Sequence, residues 1–169
     1  MRIWGWAIVA VLALAGCRAS EPVAASGEAE GQAAKAVSPA GLDLVDLTIK
    51  GAGKSHHFAV ELAQTPEQQA KGLMFRTELA ADAGMIFPFD PPRPASFWMK
   101  NTVISLDMIF IERDGTIQHI AANTVPYSID PVASRGEVAA VLEIAGGRAE
   151  QLGLAVGDKV RWDHPSGAN

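Results

Sequence analysis

Between Asp43 and Asp163 apolar and polar residues alternate with period two in short runs, and Gly, Pro, Asn and Asp separate the runs. Val45, Leu47 and Ile49 alternate with Asp46, Thr48 and Lys50, which predicts a half-buried strand. Gly51-Ala52-Gly53 turns it, and His57 to Leu62 completes a predicted hairpin. Gly84 to Phe89 predicts a strand that Pro88 ends or places at an edge, and Asp90 to Pro94, with three prolines, predicts a stiff loop. Strands follow over 96–102 and 104–111, and Asp114-Gly115 predicts a hairpin turn into 116–121. The run 138–144 is apolar on both faces and so predicts a central strand, and 159–162 is the last strand, after a turn at Gly157-Asp158.

Helical signals are few. Thr65-Pro66-Glu67-Gln68 predicts a helix start, with Thr as N-cap, Pro at the first position and Gln closing a capping box. Gly72 predicts its end in a left-handed C-cap, which sends Leu73, Met74 and Phe75 into the core. Arg148 to Leu152 predicts a second brief helix, and Asn123 to Gly136 has no periodicity, which at that length marks a functional or disordered loop. Eight or so short strands with two short helices, and no repeated strand-helix-strand rhythm, predict a mainly β, antiparallel sandwich or barrel.

The N-terminal segment has a different pattern. Ile3 to Gly16 is an apolar run shorter than the roughly 20 residues of a spanning helix, and it ends in Leu14-Ala15-Gly16-Cys17. That ending resembles the lipobox of bacterial lipoproteins, which implies a signal peptide over 1–16 and lipid on Cys17. Residues 17–42, rich in Ala, Ser, Gly, Glu and Pro, read as a tether with a reach of roughly 25–30 Å. The globular domain is then 43–163, with a flexible tail over 164–169. The implied location is the periplasmic side of a membrane. Arg18, standing where inner-membrane residents carry Asp, favours the outer one.

Charge and cysteine content narrow the chemistry further. The net charge is −5 with scattered basic residues, which gives no stripe for a phosphate backbone, so nucleic acid is not an expected partner. Cys17 is the single cysteine, so no disulfide framework forms within one chain. His56 and His57 are neighbours in a strand and point to opposite faces, so no metal site is expected, and no cofactor either. Gly53-Lys54-Ser55 is not a phosphate loop, because Thr48 stands where its first glycine is required.

The candidate chemistry centres on FWMKNTVISLD, Phe97 to Asp107. Strand phase puts Asp107 with Ile109 and Ile111, and Glu143 with Ala139 and Val141, in strands apolar on both faces. Both carboxylates are therefore expected to be largely buried and to need partners. Lys100, Asn101, Thr102, Arg76 and Arg135 are the available donors. As a ligand site, Arg76, Trp98, Asn101, Thr102 and Tyr127 would hold a small molecule, glycan or envelope protein, with Asp107 and Glu143 as candidate acid/base residues. The plainer alternative is a structural polar network, with Trp98 and Met99 as core. Arg76 reads equally well as a helix-capping surface residue or as the partner of a buried carboxylate.

These residues resemble the domain of unknown function family numbered 192. The matching blocks are Gly72 to Arg76, Gly84 to Phe87, Phe97 to Thr102 with Leu106-Asp107, Val141 to Glu143 with Gly146, and Gly157-Asp158. The resemblance implies a β-rich, jelly-roll-like fold behind an export signal. It assigns no catalytic residue, and Ser105 replaces the proline usual there. The favoured reading is a membrane-tethered, non-enzymatic binding domain of the cell envelope. A structural or assembly role comes next, and an envelope hydrolase using the two carboxylates comes last.

Overall fold

A computed structural model describes residues 36–163. Cys17 and the segments 1–35 and 164–169 lie outside the described residues. Seven strands form one sheet: β1 (Leu44–Gly51), β2 (Lys54–Leu62), β3 (Ala83–Phe97), β4 (Leu106–Ile111), β5 (Ile117–Ala121), β6 (Val132–Ala145) and β7 (Lys159–Trp162). Their order is β5-β4-β6-β3-β2-β1-β7, and every neighbouring pair is antiparallel except β2 with β3. Two short helices, α1 (Pro66–Lys71) and α2 (Arg148–Leu152), complete the fold.

The sheet curls until its edge strands meet at one end. Ile117 N donates to Asp158 O at 2.8 Å, and Val160 N donates to Gly115 O at 2.8 Å. One face then forms a closed core that takes Leu47, Phe58, Ile86, Ile109, Ile117, Leu142 and Val160 from all seven strands, with Ala149 of α2. The other face buries Met85, Phe87, Met99, Leu106, Met108, Phe110 and Val141 under α1 and the long loops. All six residues of β4 are buried, as a strand covered on both sides must be. This is the mainly β architecture predicted from the alternation, in seven strands and with one parallel pair.

The β1–β2 turn is Ala52-Gly53, both with positive φ (47° and 76°), as the favoured two-residue hairpin turn requires. The capping box at α1 forms as predicted: Thr65 Oγ1 accepts from Gln68 N, and Gln68 Oε1 accepts from Thr65 N.

Several boundaries differ from the sequence expectation. Asp90 to Pro94 lies within β3, where a register shift between Pro88 and Arg93 takes up the prolines. Pro88 stands in an interior strand because the β2 ladder stops at Ile86, so its missing N–H leaves no gap in that ladder. The strand expected over 96–102 ends at Phe97, after which Asn101 takes a left-handed conformation (φ 57°), one that Asn tolerates. β6 begins at Val132 because 132–137 pairs with the end of β3, which shortens the unpaired loop. Gly72 ends α1 at φ 48°, ψ −137°, outside the left-handed helical region, and Phe75 is 68% exposed instead of entering the core. Residues 36–42, assigned to the tether, form a turn on the domain in which Ser38 N donates to Leu42 O and Leu44 N to Ala36 O, both at 2.8 Å.

Candidate ligand cavity

α1, the second half of β3, the 98–105 loop and the end of the long loop surround a cavity of about 420 Å³. The size suits a small organic ligand. Met85, Phe87 and Phe89 alternate onto one face of β3, so the strand presents an aromatic wall, and Phe97 meets Phe87 edge to face at 5.0 Å. Trp98, Thr102, Ile129 and Pro131 also line the cavity. Gln69 fastens α1 over the wall, its Nε2 donating to Ala63 O and Pro88 O, both at 3.1 Å.

Glu143 lines the cavity from β6, where Met85 and Met108 flank it on the neighbouring strands. It is 4% exposed, and among the described residues its carboxyl has no hydrogen-bond or ion-pair partner. Burial pushes it up to about 8, so it is mostly protonated at neutral pH and can both donate and accept a hydrogen bond. Lys71 and Arg93, both exposed, line the cavity as well, and the Arg93 guanidinium sits 4.1 Å over the Phe89 ring.

Asp107 is fully buried on the other face of the sheet. One carboxylate oxygen accepts from Asn123 N (2.7 Å) and Gly147 N (3.0 Å), the other from Ala149 N (2.8 Å). Gly147 is the N-cap residue of α2 and has no side chain to cap it, so Asp107 performs that task from a distant strand. None of the five donors expected from sequence reaches either carboxylate. Because the two carboxylates face opposite sides of the sheet, the paired-carboxylate hydrolase expected as an alternative has no geometric basis.

Of the predicted ligand residues, Trp98 and Thr102 line the cavity. Trp98 is 52% exposed, with Lys100 Nζ 5.3 Å from its ring, so the expectation of plain core packing is corrected for Trp98 and holds for Met99 at 1%. Asn101 Nδ2 points at Met74 Sδ (3.8 Å), and its carbonyl accepts from Phe75 N (2.9 Å). Tyr127 is 60% exposed outside the lining, its N–H donating to Thr102 O at 3.1 Å. Arg76 Nη2 donates to both oxygens of Glu61 at 2.8 and 2.7 Å, so the buried carboxylate that it partners is one the sequence reading passed over. The sequence reading also missed Phe89, Lys71, Arg93 and Ile129. The recurrence of Phe87 and Phe89 two residues apart was the signal available for the aromatic wall.

Among the described residues no helix is long and apolar enough to cross a membrane, and no group of three or more His, Cys, Asp or Glu is placed to hold a metal. No curated protein matches the chain. A crystal structure of a protein of unknown function from Novosphingobium aromaticivorans is similar, with 53% identity over 78% of this chain and 94% of that one, and a TM-score of 0.75. A second, from Sinorhizobium meliloti and named as a candidate transcription regulator, is 43% identical over 72% of this chain and 95% of its own, with a TM-score of 0.70. The model of the DUF192 family, described as an uncharacterized ACR, matches residues 47–162, and the chain belongs to that family.

Proposed function

We propose that this protein is a non-enzymatic binding module of the cell envelope, tethered to a membrane by lipid on Cys17, and that the cavity under α1 is its ligand site. The observation that carries the reading is the unpartnered Glu143 carboxyl inside an aromatic-walled cavity. A carboxyl that opens into a cavity without a protein partner is left for water or a ligand to answer, and a fold that retains one at a position 4% exposed gains something from it elsewhere. Exposed apolar side chains gather on the adjoining loops: Phe75, Trp98, Val103, Val125, Tyr127 and Ile129. Hydrogen bonds from Phe75 N to Asn101 O, Tyr127 N to Thr102 O and Met99 N to Ser128 O tie these loops to one another. Such a surface favours contact with a ligand or partner over bare solvent.

Calorimetric titration with fractionated envelope glycans, peptides and lipids tests the site. Saturable heat that Trp98→Ala abolishes is expected, and no heat from any fraction refutes the reading. The tether, supported by Leu14-Ala15-Gly16-Cys17, is tested separately. Cys17→Ser is expected to release the exported protein from the membrane fraction, and a variant that stays membrane-bound refutes lipid anchoring.

A further inference from the structure

We infer that the cavity accepts a small ligand that leads with a protonated amine against the Glu143 carboxylate and keeps an acidic group at the mouth near Lys71 and Arg93; this rests on reading the cavity as a binding site. Glu143 is buried and aimed into the cavity without a protein donor. An ammonium group supplies the charge and the hydrogen bonds that Glu143 lacks, in surroundings where a charge-assisted bond is strong. The walls suit a cation too, since the faces of aromatic rings attract one and Phe87, Phe97 and Trp98 line the cavity. Arg93 already stacks on Phe89 in this way.

The outer end of the cavity carries the opposite sign. Lys71 and Arg93 are exposed on its lining, and neither forms an ion pair among the described residues. The residues beside Glu143 on β3 and β4 are Met85 and Met108, α1 contributes Gln69 and Ala70 besides Lys71, and the long loop contributes Ile129 and Pro131, so Lys71 and Arg93 are the titratable groups that share the cavity lining with it. An interior that becomes negative when Glu143 gives up its proton, beneath a positive mouth, selects a ligand of the reverse polarity, and an apolar body between the ends matches the aromatic walls.

The experiment is calorimetry on the full chain in detergent with four probes of one length: 6-aminohexanoate, hexylammonium, hexanoate and hexan-1-ol. The expected order of affinity is that the amino acid exceeds the alkylammonium, which exceeds the alcohol, with hexanoate, which can use the mouth but not Glu143, below the amino acid. Because Glu143 is mostly protonated when free, amine binding at pH 7 is expected to release close to one proton, read from the dependence of the heat on buffer ionisation. Affinity should rise by up to about tenfold per unit towards pH 8 and level off above it. Glu143→Gln keeps the shape and should remove the proton release together with about tenfold or more of amine affinity. Lys71→Ala with Arg93→Ala should bring 6-aminohexanoate down to the level of hexylammonium. Hexan-1-ol binding as tightly as the amine, or an amine affinity indifferent to Glu143→Gln, overturns the amine assignment and leaves the cavity standing as a site. Silence from all four probes overturns the amine assignment too, and the envelope titration then decides the cavity separately.

Discussion

Asp107 on β4 pairs with Ile144, one position beyond Glu143 on β6, and the two carboxylates point to opposite faces of the same sheet. The offset gives them different tasks. Asp107 answers three backbone N–H groups, while Glu143 opens on a cavity with no protein partner. Asp107→Ala leaves those three donors without an acceptor, at about 1–3 kcal/mol for the buried Ala149 N–H and less for the part-buried N–H groups of Asn123 and Gly147. Asp107→Asn keeps one acceptor oxygen and turns an amide N–H towards the Ala149 N–H or towards the other two donors. Both variants should lower Tm, the alanine by more. Urea unfolding at neutral pH reads the loss, which should be about 2 kcal/mol or more for Asn. A shift of a few tenths would show that α2 does not depend on this cap.

Glu143 predicts a pH dependence of stability. Its folded value is about 8 against an ordinary 4.5, so between these pH values the folded state holds a proton that the unfolded state has lost. Stability from this group is therefore complete below about pH 4.5 and declines as pH rises towards 8, by at most about 1.4 kcal/mol per unit. Glu143→Gln cannot ionise and should flatten this part of the profile, making the variant more stable than the parent at pH 8. Equal slopes in parent and variant would show that Glu143 is not the group responsible.

The burial of both carboxylates was legible because strand phase depends only on the period of two, and Asp107 and Glu143 sit inside runs whose neighbours are all apolar. What answers each carboxylate was not. The donors to Asp107 are backbone N–H groups of Asn123, Gly147 and Ala149, up to 42 residues away, and backbone donors leave no mark in side-chain sequence. Register across β3 and β6 was hidden as well: prolines argue against a ladder, yet the shift after Pro88 lets Arg93 and Pro94 pair with Val138 and Glu137. The cavity depends on that shift, which sets where Phe89, Arg93 and Phe97 fall along its wall.

Arg76 and Glu61 bind α1's exit to the end of β2. Glu61 is 7% exposed, whereas the Arg76 side chain is 29% exposed, so the pair is anchored on its acidic side and partly screened on the other. Removing the arginine strands a mostly buried carboxylate. Arg76→Ala should therefore destabilise by about 1–3 kcal/mol, and by less when Glu61→Gln accompanies it. A double-mutant cycle gives the coupling. A coupling of zero would make this an incidental surface contact.

Gly72 sets the direction in which the chain leaves α1, and thus where Lys71 and Met74 stand at the cavity. Its φ of 48° and ψ of −137° lie where side-chain-bearing residues are strained, whereas Gly153 after α2, at φ 71° and ψ 32°, occupies the left-handed well that Asn adopts readily. A Cβ at Gly72 would make an ordinary contact with the Phe87 ring at 3.5 Å and one at Gly153 meets nothing within 4 Å, so the difference between the two sites lies in the backbone. The same substitution should then have unequal effects. Gly153→Asn is expected to change stability by less than about 1 kcal/mol, and Gly72→Asn to lower it by about 1–3 kcal/mol. Thermal unfolding of the two variants side by side checks the difference. Equal losses would mean that α1 can end in another conformation, in which case the wall it forms over Phe87 is not fixed by Gly72.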